Sequence, residues 1–443
     1  MTKAAKANTF WLETLGCAKN QVDSDKLAGL LANDGYVPAQ RPDNADLLVV
    51  NTCAFIEAAR EESIGAVLQL AGSKKRDARL TVTGCMAERY GQELADALPE
   101  VDLVAGFGTP VQFARNRLEA SGERPLPSFD LLNLPRPPAR APWAYVKVAE
   151  GCDRHCGFCA IPSFRGRQRS RSTNDILAEV ETLDVAEVVL VAQDLVSWNR
   201  DIGARLNGGT ATAGPETAPD LVALVQAVSQ LVERVRLLYL YPSGLTRSLI
   251  DAMGASGCPY FDLSLQHASA PLLRRMRRFG DGEKFLRKIE LIRHRFPEAA
   301  LRSSFIVGYP GETEEDHDAL LTFLQQAQLD WVGFFAFSPE EGTYAAALPG
   351  QVPSSLAAER LRECSEVQDA ITASKRLSLV GTTCRALVDA TGVARSHREA
   401  PEIDGVIRVP RHLPAGSWVQ LDVVEAIGPD LVGRPSVRDK VAV

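Results

Sequence analysis

Apolar runs and amphipathic stretches alternate through the first hundred residues. Phe10–Leu15, Asp46–Asn51 and Arg79–Thr83 read as strands, separated by helical patterns such as Ser24–Asp34 and Glu57–Leu70. This alternation predicts a small parallel α/β sheet. Residues 122–142 then carry a dense set of prolines, ending in Arg136-Pro-Pro-Ala-Arg-Ala-Pro142, and predict a linker. A second α/β series follows, with strand candidates at Ala144–Ala149, Glu187–Ala192, Val235–Tyr241, Tyr260–Leu265, Arg302–Val307 and Val332–Phe337. Six strands with intervening helices predict an open relative of the (β/α) barrel, whose active site lies at the C-terminal ends of its strands. Gly203–Pro219, rich in Gly, Ala and Thr, predicts an inserted surface loop. After a charged helical segment from Ser355 to about Lys375 the pattern changes again. Cys384–Asp389, Gly405–Val409 and Trp418–Ala426 are short strands broken by Gly and Pro, which predict a small OB-like β-barrel.

The expected fold class is therefore α/β and multidomain. A parallel α/β domain covers 1–121, a linker 122–142, an open (β/α)6-type partial barrel 143–374 and a β-barrel 375–443. A length of 443 residues agrees, being too long for one ordinary core. With 45% hydrophobic and 24% charged residues, the composition is that of a soluble globular protein. Met1–Asn8 lacks the apolar core of a signal peptide, and no stretch is long and apolar enough to span a bilayer. Nine cysteines, an odd number, do not form a secreted disulfide framework. A cytoplasmic location without membrane association is expected. The net charge of −7 argues against a general nucleic-acid binder, although a local basic groove stays open.

The cysteines change the picture. Cys152, Cys156 and Cys159 sit in Gly151-Cys-Asp-Arg-His-Cys-Gly-Phe-Cys-Ala160, spaced C-x3-C-x2-C. Iron–sulfur clusters normally take four cysteines. Three thiolates can hold a cubane and leave its fourth iron open, as catalytic metal sites keep one position free. A zinc site or a disulfide pair is the competing reading. Zinc usually takes paired C-x2-C knuckles, whereas His155 lies inside this loop. A second set ends the first three strands: Gly16-Cys17, Thr52-Cys53 and Gly84-Cys85. The C-terminal ends of parallel strands converge where ligands bind, and the small neighbours leave room for a bulky group. The competing reading is three ordinary core cysteines. Cys258, Cys364 and Cys384 share no spacing and read as structural.

The C-x3-C-x2-C loop resembles that of radical S-adenosylmethionine (SAM) enzymes. Together with the second cysteine set, the front domain and the barrel tail, which is similar to a TRAM domain, the chain resembles the methylthiotransferases over essentially its whole length. That resemblance implies two 4Fe–4S clusters. One, on Cys152, Cys156 and Cys159, would bind and reductively cleave SAM, making these three the catalytic set. An auxiliary one, on Cys17, Cys53 and Cys85, would hold the sulfur to be transferred. An unactivated C–H bond has no acidic proton for general acid–base catalysis to act on. The resemblance implies that one SAM supplies a methyl group to the sulfur. Another supplies a 5′-deoxyadenosyl radical that removes the hydrogen, and the cavity brings carbon and sulfur together.

Ala192-Gln-Asp-Leu195, Leu265-Gln-His-Ala-Ser269 and Ile306-Val-Gly-Tyr-Pro-Gly-Glu312 each follow a strand. They are candidates to line the SAM pocket through Gln193, Gln266 and Gly308, with Gly308 and Gly311 allowing close backbone approach. Tight turns are the competing reading of each. His267 reads as a hydrogen-bonded core histidine. Arg165-Gly-Arg-Gln-Arg-Ser-Arg171 resembles a basic family segment near SAM and substrate, or else a solvated loop. Arg274-Arg-Met-Arg-Arg278 is not assigned to RNA, since charge runs usually mean solvation.

Methylthiotransferases act mainly on a tRNA adenosine or, in the RimO type, on the β-carbon of an aspartate in the twelfth small-subunit ribosomal protein. Gln266-His-Ala-Ser269, Asn51-Thr-Cys-Ala-Phe-Ile-Glu-Ala-Ala-Arg-Glu-Glu-Ser63 and Glu399-Ala-Pro-Glu-Ile-Asp-Gly405 are similar to the RimO type. Leu377–Val443 holds 8 Lys+Arg and 8 Asp+Glu, a neutral tail where a tRNA-gripping barrel would be basic. A ribosomal-protein substrate is therefore expected, free or on the ribosomal subunit, with an electron donor such as flavodoxin. A tRNA methylthiotransferase is the alternative, and a non-enzymatic iron–sulfur carrier a more distant one.

Overall fold

Leu47–Thr52 is buried at every position and forms the centre of a five-stranded parallel sheet. Its order is Val37–Pro38, Thr9–Thr14, Leu47–Thr52, Arg79–Gly84 and Leu103–Ala105. Strand side chains alternate between faces. Leu48 and Val50 accordingly pack with Val67 and Leu70 of the helix Glu57–Ser73. Leu47 and Val49 pack on the other side, with Leu27 and Leu31 of the helix Ala18–Asn33. Both faces are covered, as a parallel sheet requires. The computed structural model describes residues 8–109, 111, 130–202 and 220–436.

The chain forms two compact units. One comprises residues 1–138 with 150–153 and 159–171, the other 139–149, 154–158 and 172–443. Residues 130–138 of the expected linker belong to the first unit. There Arg136 pairs with Asp25 at 2.8 Å and Lys26 donates to the Leu132 carbonyl. Residues 122–129 and the expected loop Gly203–Pro219 lie outside the described residues.

In the second unit, Trp143–Lys147, Glu187–Val191 and Arg234–Leu237 form one parallel sheet. Tyr260–Gln266, Ala300–Val307 and Trp331–Ala336 form another, and a parallel bridge between Leu240 and Leu263 joins the two. Six strands thus run in chain order as an open (β/α)6-type partial barrel. The long helix Ser354–Ser378 leads to a closed barrel of Thr383–Ala390, Val393–Arg395, Ile407–Arg408, Asp430–Pro435 and Trp418–Ile427. Ala386, Val388, Ile407, Leu421, Val423 and Leu431 fill it. The barrel is held to the strand starts by Glu187, which is fully buried. It pairs with Arg236 at 2.8 Å and with Arg234 and Arg395 at 3.2 Å each. Among the described residues no helix is long and apolar enough to cross a membrane.

Candidate metal centres

The three central strands of the front sheet, Thr9–Thr14, Leu47–Thr52 and Arg79–Gly84, each lead to a cysteine at their C-terminal ends. Cys17 caps the helix Ala18–Asn33, Cys53 follows Thr52, and Cys85 opens the helix Cys85–Ala97. Gly16 has φ +92°, and a Cβ there would stand 2.9 Å from Cys53 Sγ. Gly84 has φ +91°, and its Cβ would lie 2.6 Å from the Thr52 backbone. Only glycine fits these two turns.

Asn20, fully buried, ties the three strand ends together. Its Nδ2 donates to the Leu15 carbonyl at 2.9 Å and the Thr52 carbonyl at 3.0 Å, while its Oδ1 faces Cys85 Sγ at 3.7 Å. Arg165 reaches the same point. Its Nη2 and Nε donate to Cys85 Sγ at 3.0 and 3.3 Å, and its Nη2 donates to Asn20 Oδ1 at 2.7 Å.

The thiols interact electrostatically. Burial pushes Cys53 up to about 12, and the nearby Cys17 and Cys85 add to the shift. Burial also raises Cys85, against the pull of Arg165. Burial opposes ionisation of Cys17 as well, but Lys19, Arg165 and the backbone N–H groups of Asn20 and Lys19 outweigh it and hold that thiol below its usual value. Three thiolates this close repel each other unless a cation sits among them, and a metal core takes its sulfur ligands deprotonated. Among the described residues no three His, Cys, Asp or Glu side chains converge as they would on a single metal ion. A cubane, in which each cysteine would ligate a different iron, would accept thiols set further apart than a single ion does.

The C-x3-C-x2-C loop is shaped by two glycines. Gly151 has φ +78°, and a Cβ there would meet the Arg167 carbonyl oxygen at 2.2 Å. The Cys152 N–H donates to the Gly166 carbonyl at 3.1 Å. Gly157 donates to the Met276 carbonyl at 2.8 Å, and its Cβ would stand 2.8 Å from the Tyr309 hydroxyl. Cys156 Sγ accepts from Arg278 Nη1 at 3.3 Å. All nine cysteines are unbridged thiols. Cys258 and Cys364 are buried, and burial also raises the partly buried Cys384 to about 12, in keeping with structural roles.

The other candidates separate. Gln193 follows the strand Glu187–Val191, and Gln266 ends its own strand at φ +74°, beside a register shift. A non-glycine residue in that region carries strain, a feature concentrated at functional sites. Gly308 is different: a Cβ there would lie 2.6 Å from Ala357 Cβ of the helix Ser354–Ser378. Its close approach serves helix packing. Gly311 is likewise covered by Arg275, which donates to the Pro310 carbonyl at 3.0 Å. His267 is a core histidine as expected. Its Nδ1 accepts from the Ser269 N–H at 3.0 Å, and burial lowers its pKa to about 3, so it is neutral.

Neither arginine run is uniformly solvated. Arg167 is exposed, while Arg165 and Arg171 are buried. Arg278 turns inward to Cys156, and Arg277 stacks on Tyr344 at 3.8 Å. The sequence reading missed Asn20 altogether. Its signal was a polar residue, three positions after Cys17, inside a helix whose neighbours Asp23, Ser24 and Lys26 are also buried.

Residues 9–106 match the model of the Uncharacterized protein family UPF0004, residues 146–324 that of the Radical SAM superfamily, and residues 380–435 that of the TRAM domain. The ribosomal protein uS12 methylthiotransferase RimO of Moorella thermoacetica is 41% identical over 429 residues, covering 93% of this chain and 95% of that protein. RimO of Kineococcus radiotolerans is 40% identical, covering 97% and 98%, and that of Chloroflexus aurantiacus 39%, covering 96% and 99%. Among solved structures, the radical S-adenosylmethionine methyltransferase TsrM from Kitasatospora setae is 15% identical with a TM-score of 0.43 over 93% of this chain and 84% of that one, a loose likeness on which nothing below rests. The chain belongs to the RimO family of radical SAM methylthiotransferases.

Proposed function

We propose that Cys17, Cys53 and Cys85 hold an auxiliary 4Fe–4S cluster and that Cys152, Cys156 and Cys159 hold the cluster that binds SAM. On this reading the chain adds a methylthio group to the β-carbon of an aspartate in ribosomal protein uS12. The observation that carries it is that Cys17, Cys53 and Cys85, delivered by three separate strand ends, lie near enough to interact electrostatically with one another and with Arg165, which donates to Cys85 Sγ. When bound, the clusters and SAM supply one-electron cleavage of SAM and a sulfur to transfer.

This chain's residues orient and insulate. Asn20 holds the three strand ends in register, and Arg165 and Arg278 each donate to one cysteine sulfur. Such partners of metal ligands set orientation and electronic character. Gln193 and Gln266, at the strand ends, are assigned to SAM, and Gly308 to packing. His267 is buried and neutral at ordinary pH.

A neutral tail suits a basic protein substrate better than tRNA, and the substrate is uS12 either free or on the ribosomal subunit. An external electron donor of the flavodoxin kind and a cytoplasmic location, where thiols stay reduced, complete the reading.

The test replaces Cys17, Cys53 or Cys85 by Ala in anaerobically reconstituted protein. Reductive SAM cleavage should persist while sulfur insertion is lost. A variant that still makes methylthiolated uS12 contradicts the auxiliary assignment.

A further inference from the structure

Among the described residues, Arg165 is the arginine that donates to a cysteine of the Cys17, Cys53 and Cys85 set. Its guanidinium is almost fully buried, and it spends its donors on four partners at once. Nε and Nη2 point at Cys85 Sγ, at 3.3 and 3.0 Å, and Nη2 also reaches Asn20 Oδ1 at 2.7 Å. Nη1 meets both oxygens of Glu150, at 2.8 and 3.0 Å, and Asp23 Oδ2 at 3.3 Å. Glu150 lies two residues before Cys152, and Arg165 itself ends the helix Ile161–Arg165 that follows Cys159. One side chain thus joins the segments flanking the C-x3-C-x2-C loop to a cysteine of the other set.

We propose that Arg165 is a positioning residue for the auxiliary centre, fixing the Cys85 sulfur and holding the reduction potential of that centre up. The inference rests on the auxiliary-cluster reading above. Hydrogen bonds to ligand sulfurs and local net charge are among the main determinants of cluster potential. A cation donating to a ligand sulfur stabilises the more negative, reduced cluster. Glu150 and Asp23 act in the opposite sense. They hold the guanidinium in place and offset part of its charge, so the potential reflects the balance among the three groups. A role confined to packing would give no such directional dependence on charge.

The experiment uses full-length protein carrying Cys152→Ala, Cys156→Ala and Cys159→Ala, so that only the auxiliary centre remains, titrated anaerobically and followed by EPR. If that parent binds no iron, the auxiliary-cluster reading fails. If it binds four irons, Arg165 is tested on its own. Arg165→Met should move the midpoint to more negative potential. The expected change is roughly tenfold in the reduced-to-oxidised ratio at fixed potential, equivalent to about 59 mV for a one-electron couple. Glu150→Gln should move it the other way. Arg165→Lys, which keeps the charge with fewer donors, should bind iron fully and shift part of the way towards Met. Should Met fail to hold iron, the lysine and Glu150→Gln shifts still decide. Full iron with an unmoved potential in those variants overturns the proposal.

Discussion

Arg278 Nη1 stands 3.3 Å from Cys156 Sγ, and the same guanidinium lies 4.0 Å from the centroid of the Tyr241 ring. Arg154, two residues after Cys152, stacks on that ring at 3.5 Å and pairs with Asp194 at 2.6 Å. Arg278 also donates to the Ser264 carbonyl, at the end of a barrel strand. A cysteine of the C-x3-C-x2-C loop is thereby anchored to the strand ends through two arginines sharing one tyrosine. Partners of metal ligands typically change affinity or activity about 10–100-fold when removed. Arg278→Met should therefore slow reductive SAM cleavage by about that factor, read as 5′-deoxyadenosine formed per bound cluster. An unchanged rate would show that Arg278 only packs.

Asn20, itself fully buried, donates to carbonyls on two different strand ends. Removing one partner of a buried hydrogen bond costs about 1–3 kcal/mol. Asn20→Ala should lower stability by at least that amount and reduce iron at the auxiliary site, leaving the iron on Cys152, Cys156 and Cys159 in place. Unfolding midpoints of the full chain check the first, and iron per chain checks the second, measured once with Cys152, Cys156 and Cys159 replaced by Ala and once with Cys17, Cys53 and Cys85 replaced by Ala.

Gly151→Ala places a methyl group 2.2 Å from the Arg167 carbonyl oxygen at a positive φ. The loop must shift to relieve both. About half of the total iron should be lost, all of it from the SAM-binding centre, with SAM cleavage abolished. Equal loss from both centres would mean that the glycine supports the whole unit instead.

Glu187 faces three arginines, and breaking a buried charge set of this kind costs about 3–5 kcal/mol. Burial opposes its ionisation, but Arg236, Arg395 and Arg234 overcome it and hold the carboxyl far below its usual range. The folded value is depressed, so the stabilisation is complete above the unfolded value of about 4.3 and is lost as pH falls towards the folded one. Glu187→Gln should destabilise the second unit by a constant amount from about pH 5 to 8, with the difference shrinking below about pH 4. Unfolding of wild type and variant across that range tests the sign.

Much of this was legible because the signals are local. Leu47–Thr52 is an apolar run buried on both faces, and each of the six partial-barrel strands falls within a few residues of its sequence pattern. The helix Ala18–Asn33 begins several residues before the pattern at Ser24–Asp34 that predicts it. Its first turns carry Asn20, Asp23, Ser24 and Lys26, buried polar groups that erase the apolar period there; Asn20 and Asp23 face the cysteine site through Cys85 and Arg165, while Ser24 and Lys26 bond to Asn51 and Leu132. Val37–Pro38, Leu103–Ala105 and Val393–Arg395 are too short to leave a pattern. The roles of Arg165 and Arg278 depend on partners 80 and 122 positions away, which no window along the chain contains. Gly308 looked like a ligand glycine, yet the helix it accommodates begins more than forty residues later.

The most direct test offers reconstituted protein, SAM and a strong reductant two substrates in parallel without oxygen: ribosomal protein uS12 and a tRNA anticodon stem-loop. Mass spectrometry reads both. The account predicts a methylthio gain on one aspartate of uS12 and none on the RNA, abolished by Cys53→Ala. A gain on the RNA alone, or a gain on uS12 that survives loss of Cys53, would contradict it.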